Sequence, residues 1–316
     1  VLLGSPLTEL LLLAGGAALL YAGAELLVKG ASDLALAVGL KASTVGVTVV
    51  AFATTAPELF VSLLGAVTVS TDTGLGAIVG SNIANIGLVL GVSALIRPLD
   101  ISQTVFERHV PFMVLAALLL VGLGWDGQIG ALDGVFMLAV LVAFTAVVLR
   151  RVQQTQSSIS AAEREGMPDA RLRDAAFVVV GIVALVLGSR WLVEGGQSLL
   201  SAAGFSDIFI GLTVLALGTS LPELAASVVA AIRGEADFSV GNVVGSNIYN
   251  VLAVLGIVAV ITPISVSADV RGFEFPALLV VTALVVGLMS RGKRISRVDG
   301  AVLVATYGGF IYLLLP

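Results

Sequence analysis

The feature that most constrains this chain is the recurrence, along its whole length, of nearly charge-free apolar runs. Many exceed 18 residues, long enough to cross roughly 30 Å of hydrocarbon as a helix. Composition agrees, with 58% apolar residues, 12% charged residues and a mean hydropathy of +1.10. Backbone groups in lipid must bond internally, which leaves helices or closed barrels. No stretch alternates with period two as a barrel strand would. The expected fold class is all-α and integral to the membrane.

Membrane helices are predicted near residues 6–28, 43–69, 74–96, 108–124, 129–149, 174–194, 207–232, 238–262, 272–290 and 298–315. With these ten spans, fourteen of the sixteen basic residues fall in loops on one side. Only Arg271 lies in a loop on the other side, and Arg190 lies inside span six. The positive-inside rule makes the basic side cytoplasmic. Both termini are then expected to face outward in a multi-pass protein of the cell membrane. The segment 151–173 reads as a cytoplasmic linker between a first unit, 1–150, and a second, 174–316.

Several chemistries are excluded by what the sequence lacks. There is no cysteine, so disulfides and thiolate sites are ruled out. The single histidine, His109, follows Glu107 and Arg108 and reads as interfacial rather than catalytic. A net charge of −5 and a pI of about 4.9 give no basic surface for nucleic acid. The first apolar run has no basic leader and no obvious cleavage site, so it is expected to be a retained helix. No cofactor and no catalytic residue is expected.

A shift of 165 residues superposes the chain on itself. GVTVVAFATTAPE, from Gly46 to Glu58, falls on GLTVLALGTSLPE, from Gly211 to Glu223. GAIVGSNIANIGLVLG, from Gly76, falls on GNVVGSNIYNVLAVLG, from Gly241. Gly23, Gly30 and Gly39 fall on Gly188, Gly195 and Gly204. Such repetition marks a duplication. Each half has an odd number of spans, so the second is expected to be inverted relative to the first, as in many secondary transporters.

Glu58 and Glu223 sit at equivalent positions well inside spans two and seven, each after a proline. A carboxylate at that depth costs at least roughly 2.5–3.5 kcal/mol and marks a functional site. A structural ion pair would need a buried base. Arg190 is the one candidate, and it could instead pair with its repeat mate, Glu25. Pro57 and Pro222 are expected to free the carbonyls of Ala53 and Gly218. Hydroxyls precede each proline, Thr54 and Thr55 in one half and Thr219 and Ser220 in the other. The second motif adds Ser81, Asn82 and Asn85, then Ser246, Asn247 and Asn250.

All of these are hard oxygen donors of the kind calcium takes, and the same shell can hold sodium. Two ionised glutamates would be neutralised by one calcium, two sodium ions or two protons. An empty, doubly charged site is costly in apolar surroundings, which favours a carrier that switches access only when occupied. A cation channel and an intramembrane hydrolase using paired carboxylates are competing readings. Inverted halves disfavour the first, and hydroxyls grouped as ligands disfavour the second.

These motifs, most specifically GTSLPE at Gly218 to Glu223 and GNVVGSN at Gly241 to Asn247, closely resemble the sodium/calcium exchanger branch of the cation/calcium antiporters. The resemblance covers essentially the whole chain, and the lack of a large regulatory loop is similar to compact prokaryotic members. It implies exchange of calcium for sodium by alternating access, with Glu58 and Glu223 as central ligands. Thr54, Thr55, Thr219 and Ser220 would complete the site, and Ser81, Asn85, Ser246 and Asn250 would line it. The carbonyls of Ala51 and Ala216 would help hold sodium. A calcium/proton exchanger using the same glutamates is the alternative that the resemblance leaves. Asn250, where potassium-dependent relatives carry an acid, argues against potassium. The implied partners are the transported ions and membrane lipid, and a monomer is expected.

Overall fold

The structure, a computed structural model, describes residues 6–37, 39–40, 42–55, 58–59, 62–63, 71–158, 172–203 and 218–314. It is helical throughout, apart from four two-residue strands in the connections between helices. Eight helices among the described residues are long and apolar enough to cross a membrane, and Ser43–Thr54 forms a shorter apolar helix. The expected spans at 43–69 and 207–232 are described only in part, because much of each lies outside the described residues.

Helix α1 (Pro6–Ala37) is followed by α2 (Ala42–Val45), a π turn at Gly46–Val50 and α3 (Ala51–Thr54). Next come α4 (Thr71–Ala84), a π turn at Asn85–Leu90 and α5 (Gly91–Ile96), which together make one span. Strand β1 (Leu99–Asp100), a π turn at Val105–His109, α6 (Val110–Leu123), β2 (Gln128–Ile129) and α7 (Ala131–Ser158) complete the first half. The second half has α8 (Leu172–Ala202), α9 (Leu221–Arg233), α10 (Ala236–Tyr249), a π turn at Asn250–Leu255 and α11 (Gly256–Ile261). It ends with β3 (Ile264–Ser265), a π turn at Val270–Glu274, α12 (Phe275–Ser290), β4 (Arg294–Ile295) and α13 (Arg297–Leu314).

The 165-residue shift reproduces these boundaries almost residue for residue. α4 starts at Thr71 and α10 at Ala236, and the π turns start at Asn85 and Asn250, and at Val105 and Val270. Pro111 and Pro276 lie just after the π turns, in the first turns of α6 and α12. β1 pairs antiparallel with β4, and β2 with β3. The shift carries one ladder onto the other with the halves exchanged, the pattern of a two-fold relation. The ladders cap opposite ends of the bundle, since Val105–Leu123 runs from one to the other.

Most described basic residues gather at the β1–β4 end. There Arg294 pairs with Asp100 and Lys293 with Glu107, while Arg297 donates to the Leu95 and Ile96 carbonyls and Arg97 to that of Ile232. Arg271 lies at the other ladder, donating to the Trp125 carbonyl. Lys29, expected in a loop, lies within the longer α1 and pairs with Asp33 at 3.6 Å. The start of the expected linker is also helical, because α7 continues to Ser158.

Burial sorts the helices. Of an apolar 18-residue stretch in each span, 83% is buried within the protein for Ala236–Ile261 and 72% for Gly74–Ile96, against 22% for Ala131–Gln154, so the first two form the centre and α7 faces outward. α1 and α8 pack as a pair on one side, in a smaller apolar cluster shared with α9. Glycine sets their separation. A Cβ on Gly16 would lie 2.8 Å from the Gly188 carbonyl oxygen, and one on Gly23 would lie 2.8 Å from that of Gly181. Small residues allow this close approach of backbones. The two contacts are repeat equivalents of each other.

Gly23→Val should therefore force α1 and α8 apart and destabilise the protein by about 1–3 kcal/mol. Gly122→Val, at a helix position with open space beside it, should be neutral. Thermal unfolding of both variants in detergent checks the contrast.

Candidate ion-binding site

The two acid-bearing segments break their helices where the glutamates enter. α3 ends at Thr54, Thr55 forms a turn, and helical structure is present again at Glu58. In the second half Thr219 and Ser220 form the turn, and α9 starts at Leu221 with Pro222 in its first turn. Loss of a helix hydrogen bond within a span was expected at Pro222. The chain instead restarts a helix there, because proline in a first turn sacrifices no hydrogen bond. Glu223 consequently occupies the first turn of α9, where the helix dipole favours negative charge. Pro57 and Ala216 lie outside the described residues.

The expected free carbonyl at Gly218 does not stay free. The Ser189 hydroxyl, from α8, donates to it at 2.5 Å. Ser189 carries no repeat signal, since its equivalent is Ala24, and sequence reasoning passed over it.

The SN-containing helices cross at the centre and supply the amides. Ser81 Oγ and Ser220 Oγ are 3.1 Å apart. The Asn250 amide donates to Ser81 Oγ at 3.3 Å and to Asn82 Oδ1 at 2.9 Å, and the Asn82 amide donates to the Asn247 carbonyl at 3.4 Å. These bonds all join one half to the other. Asn82 thus has a positioning role that its motif suggested but that spacing could not specify. Asn85 and Asn250 each open a π turn, a helix widening common at functional sites.

Glu58 and Glu223 are both buried at the centre, 2% and 0% exposed, near enough for each to feel the other's charge. Ser81 is beside Glu58, and Thr54 and Ser246 are beside Glu223, so the first half contributes to the environment of the second half's acid. None of the four carboxylate oxygens accepts a hydrogen bond of proper geometry, and neither glutamate takes part in an ion pair among the described residues. The expected pairing of Glu25 with Arg190 does not form. Glu25 pairs with Arg233, and Arg190 with Glu194 one turn along at 2.6 Å, because the Arg190 side chain is exposed.

The surrounding oxygens repeat the pattern. Thr55 Oγ1, Asn85 Oδ1, Ser246 Oγ and Asn250 Oδ1 are buried without a hydrogen-bond partner in the protein. Buried polar groups are normally bonded, and a cluster that is not is a place where an ion can supply the missing interactions. Every described residue expected at the site is buried except Thr219, which is half-buried. Ala51 is buried too, and its carbonyl accepts bonds from Thr55 N at 3.0 Å and Thr54 Oγ1 at 3.4 Å. His109, expected at an interface, is 4% exposed and packs edge-on against Phe144.

A duplicated helical membrane protein with two uncompensated acids at its centre belongs to the class of ion-coupled membrane carriers. Comparison with known proteins makes the class specific. Residues 8–150 and 174–315 match the family described as sodium/calcium exchanger protein, and the chain belongs to that family. A candidate antiporter of Alkalimonas amylolytica, CaxA, is 35% identical over 292 residues, covering 90% of this chain and 92% of its own. The sodium/calcium exchanger MaX1 of Methanosarcina acetivorans is 28% identical over 341 residues, covering 96% and 97%. A solved structure of the sodium-calcium exchanger NCX_Mj superposes with a TM-score of 0.84 at 27% identity, over 98% of this chain and all of the other. The protein is thus a membrane antiporter rather than an enzyme.

Ser189→Ala would leave the Gly218 carbonyl without its buried donor, a loss of about 1–3 kcal/mol. A lowered unfolding temperature is expected, with most of it restored in Ser189→Thr, which keeps the hydroxyl. Differential scanning fluorimetry of the two variants tests this.

Proposed function

We propose that the chain exchanges calcium for sodium across the cell membrane by alternating access. The observation that carries this reading is the set of four buried carboxylate oxygens without partners, two on Glu58 and two on Glu223, one acid from each half, with buried hydroxyls beside them. A divalent ion that takes six to eight oxygens in flexible geometry suits such a cage. In this proposal Glu58 and Glu223 are the central calcium ligands, with Thr54, Thr55, Thr219 and Ser220 around them and Ser81, Asn85, Ser246 and Asn250 lining the cage. The carbonyls of Ala51 and Ala216 would serve sodium. Binding at Ala51 would release the Thr54 hydroxyl toward the ion.

The proposed architecture is ten spans in two inverted halves, 1–150 and 174–316. The segment 151–173 would be cytoplasmic and both termini external. Exchange of the two strand ladders supports the inversion, and clustering of basic side chains at the β1–β4 end supports the orientation. Two sodium ions would balance the pair of acids; a third would add roughly 2.3 kcal/mol of voltage sensitivity per 100 mV. Two acids without a base could equally be neutralised by two protons, which keeps calcium/proton exchange as the second reading.

In liposomes at constant pH, an imposed sodium gradient should drive calcium uptake by the wild-type protein. Glu58→Gln or Glu223→Gln should each abolish it, falling at least about tenfold for the loss of one charged ligand. Uptake driven by a pH gradient without sodium would select the proton reading, and normal flux in both variants would remove the glutamates from the site.

A further inference from the structure

At the β1–β4 end, away from the ion site, a cavity of about 110 Å³ opens between the end of α1, α2, the π turn before α6, and α7. This is several times the 10–15 Å³ or so that one water needs. Its walls divide by chemistry. Phe112, Phe144 and Val147 form an apolar side, with the two rings 5.0 Å apart. Arg108 and Arg151, both exposed, stand on the cavity wall, and neither forms an ion pair among the described residues. Among the described residues Arg151 donates to Gln154, at 3.1 Å. His109, 4% exposed, also lines the cavity, and its Nδ1 has no hydrogen-bond partner. Gly39, at φ 67°, turns the chain sharply after α1 and contributes to the wall.

The repeat makes this cavity one-sided. The equivalents of Arg108 and His109 are Phe273 and Glu274, and the Phe273 ring stacks on Phe310 with its plane tilted by 3°. Cationic character is therefore confined to the end where basic residues gather. Guanidinium groups over an apolar wall at a membrane boundary match a phosphate joined to acyl chains.

We propose that this cavity binds an anionic phospholipid, its headgroup phosphate held by Arg108 and Arg151 and its acyl chain laid along Phe112, Phe144 and Val147. The test is native mass spectrometry of protein released from nanodiscs of mixed phosphatidylglycerol and phosphatidylcholine. Wild type should retain phosphatidylglycerol preferentially. Arg108→Gln with Arg151→Gln should lower that retention roughly tenfold, whereas Arg150→Gln with Arg291→Gln removes the same charge outside the cavity and should leave it unchanged. Both double variants alter exposed side chains, and equal unfolding temperatures without lipid check that folding is intact. Equal losses in the two, or no loss in either, would overturn the assignment. A parallel arm adds inorganic phosphate. Displacement of the lipid at millimolar phosphate would make this a site for free anions instead.

Discussion

Two carboxylates at the centre of a lipid-embedded bundle need positive charge, and no side chain of the described protein supplies it. Each would cost at least roughly 2.5–3.5 kcal/mol at such depth if left ionised. Most of the central architecture can be read as an accommodation to that cost. The helices break beside the acids, so Glu223 meets the N-terminal end of α9 rather than its middle. The two most buried spans bring amides and hydroxyls to the same place. The remaining deficit is one that a bound cation would satisfy, and occupancy would then add to the stability of the centre.

The accommodation is not symmetric. Asn250 spends both amide protons on Ser81 and Asn82, whereas its equivalent, Asn85, has neither amide atom bonded. Thr54 is 1% exposed while its equivalent, Thr219, is half-buried. A duplicated chain with a strict two-fold axis would show neither difference. Asymmetry of this kind is what a carrier opening to one side at a time requires, since the two halves must exchange environments to reverse access.

The α1–α8 pair stands apart from this centre. Its helices touch through reciprocal glycines with backbone against backbone, while its contacts to the core run through a separate apolar cluster and polar links such as Glu25 with Arg233. Close glycine packing binds the two helices to one another more tightly than either is bound to the rest. Through Ser189, however, α8 also caps the Gly218 carbonyl at the edge of the proposed ion site. Displacement of the pair would therefore alter the backbone beside the acids, a direct mechanical link between the outer helices and the centre.

Much was legible before any coordinates. Hydropathy and the lack of period-two alternation required a helical membrane protein, and the single 165-residue shift pointed to both glutamates and to the hydroxyls and amides of the two motifs, because duplication repeats residues whose chemistry matters. What repetition could not carry was pairing in space. Glu25 and Arg190 are repeat mates of opposite charge, yet each bonds elsewhere: exposed Arg190 takes the acid one turn along its own helix, and Glu25 takes Arg233 from the neighbouring α9. Ser189, the one-sided cavity at His109 and the restart of the helix at Pro222 likewise depend on which helices touch. Those contacts are decided by close packing among long-range neighbours, and no local pattern along the chain encodes them.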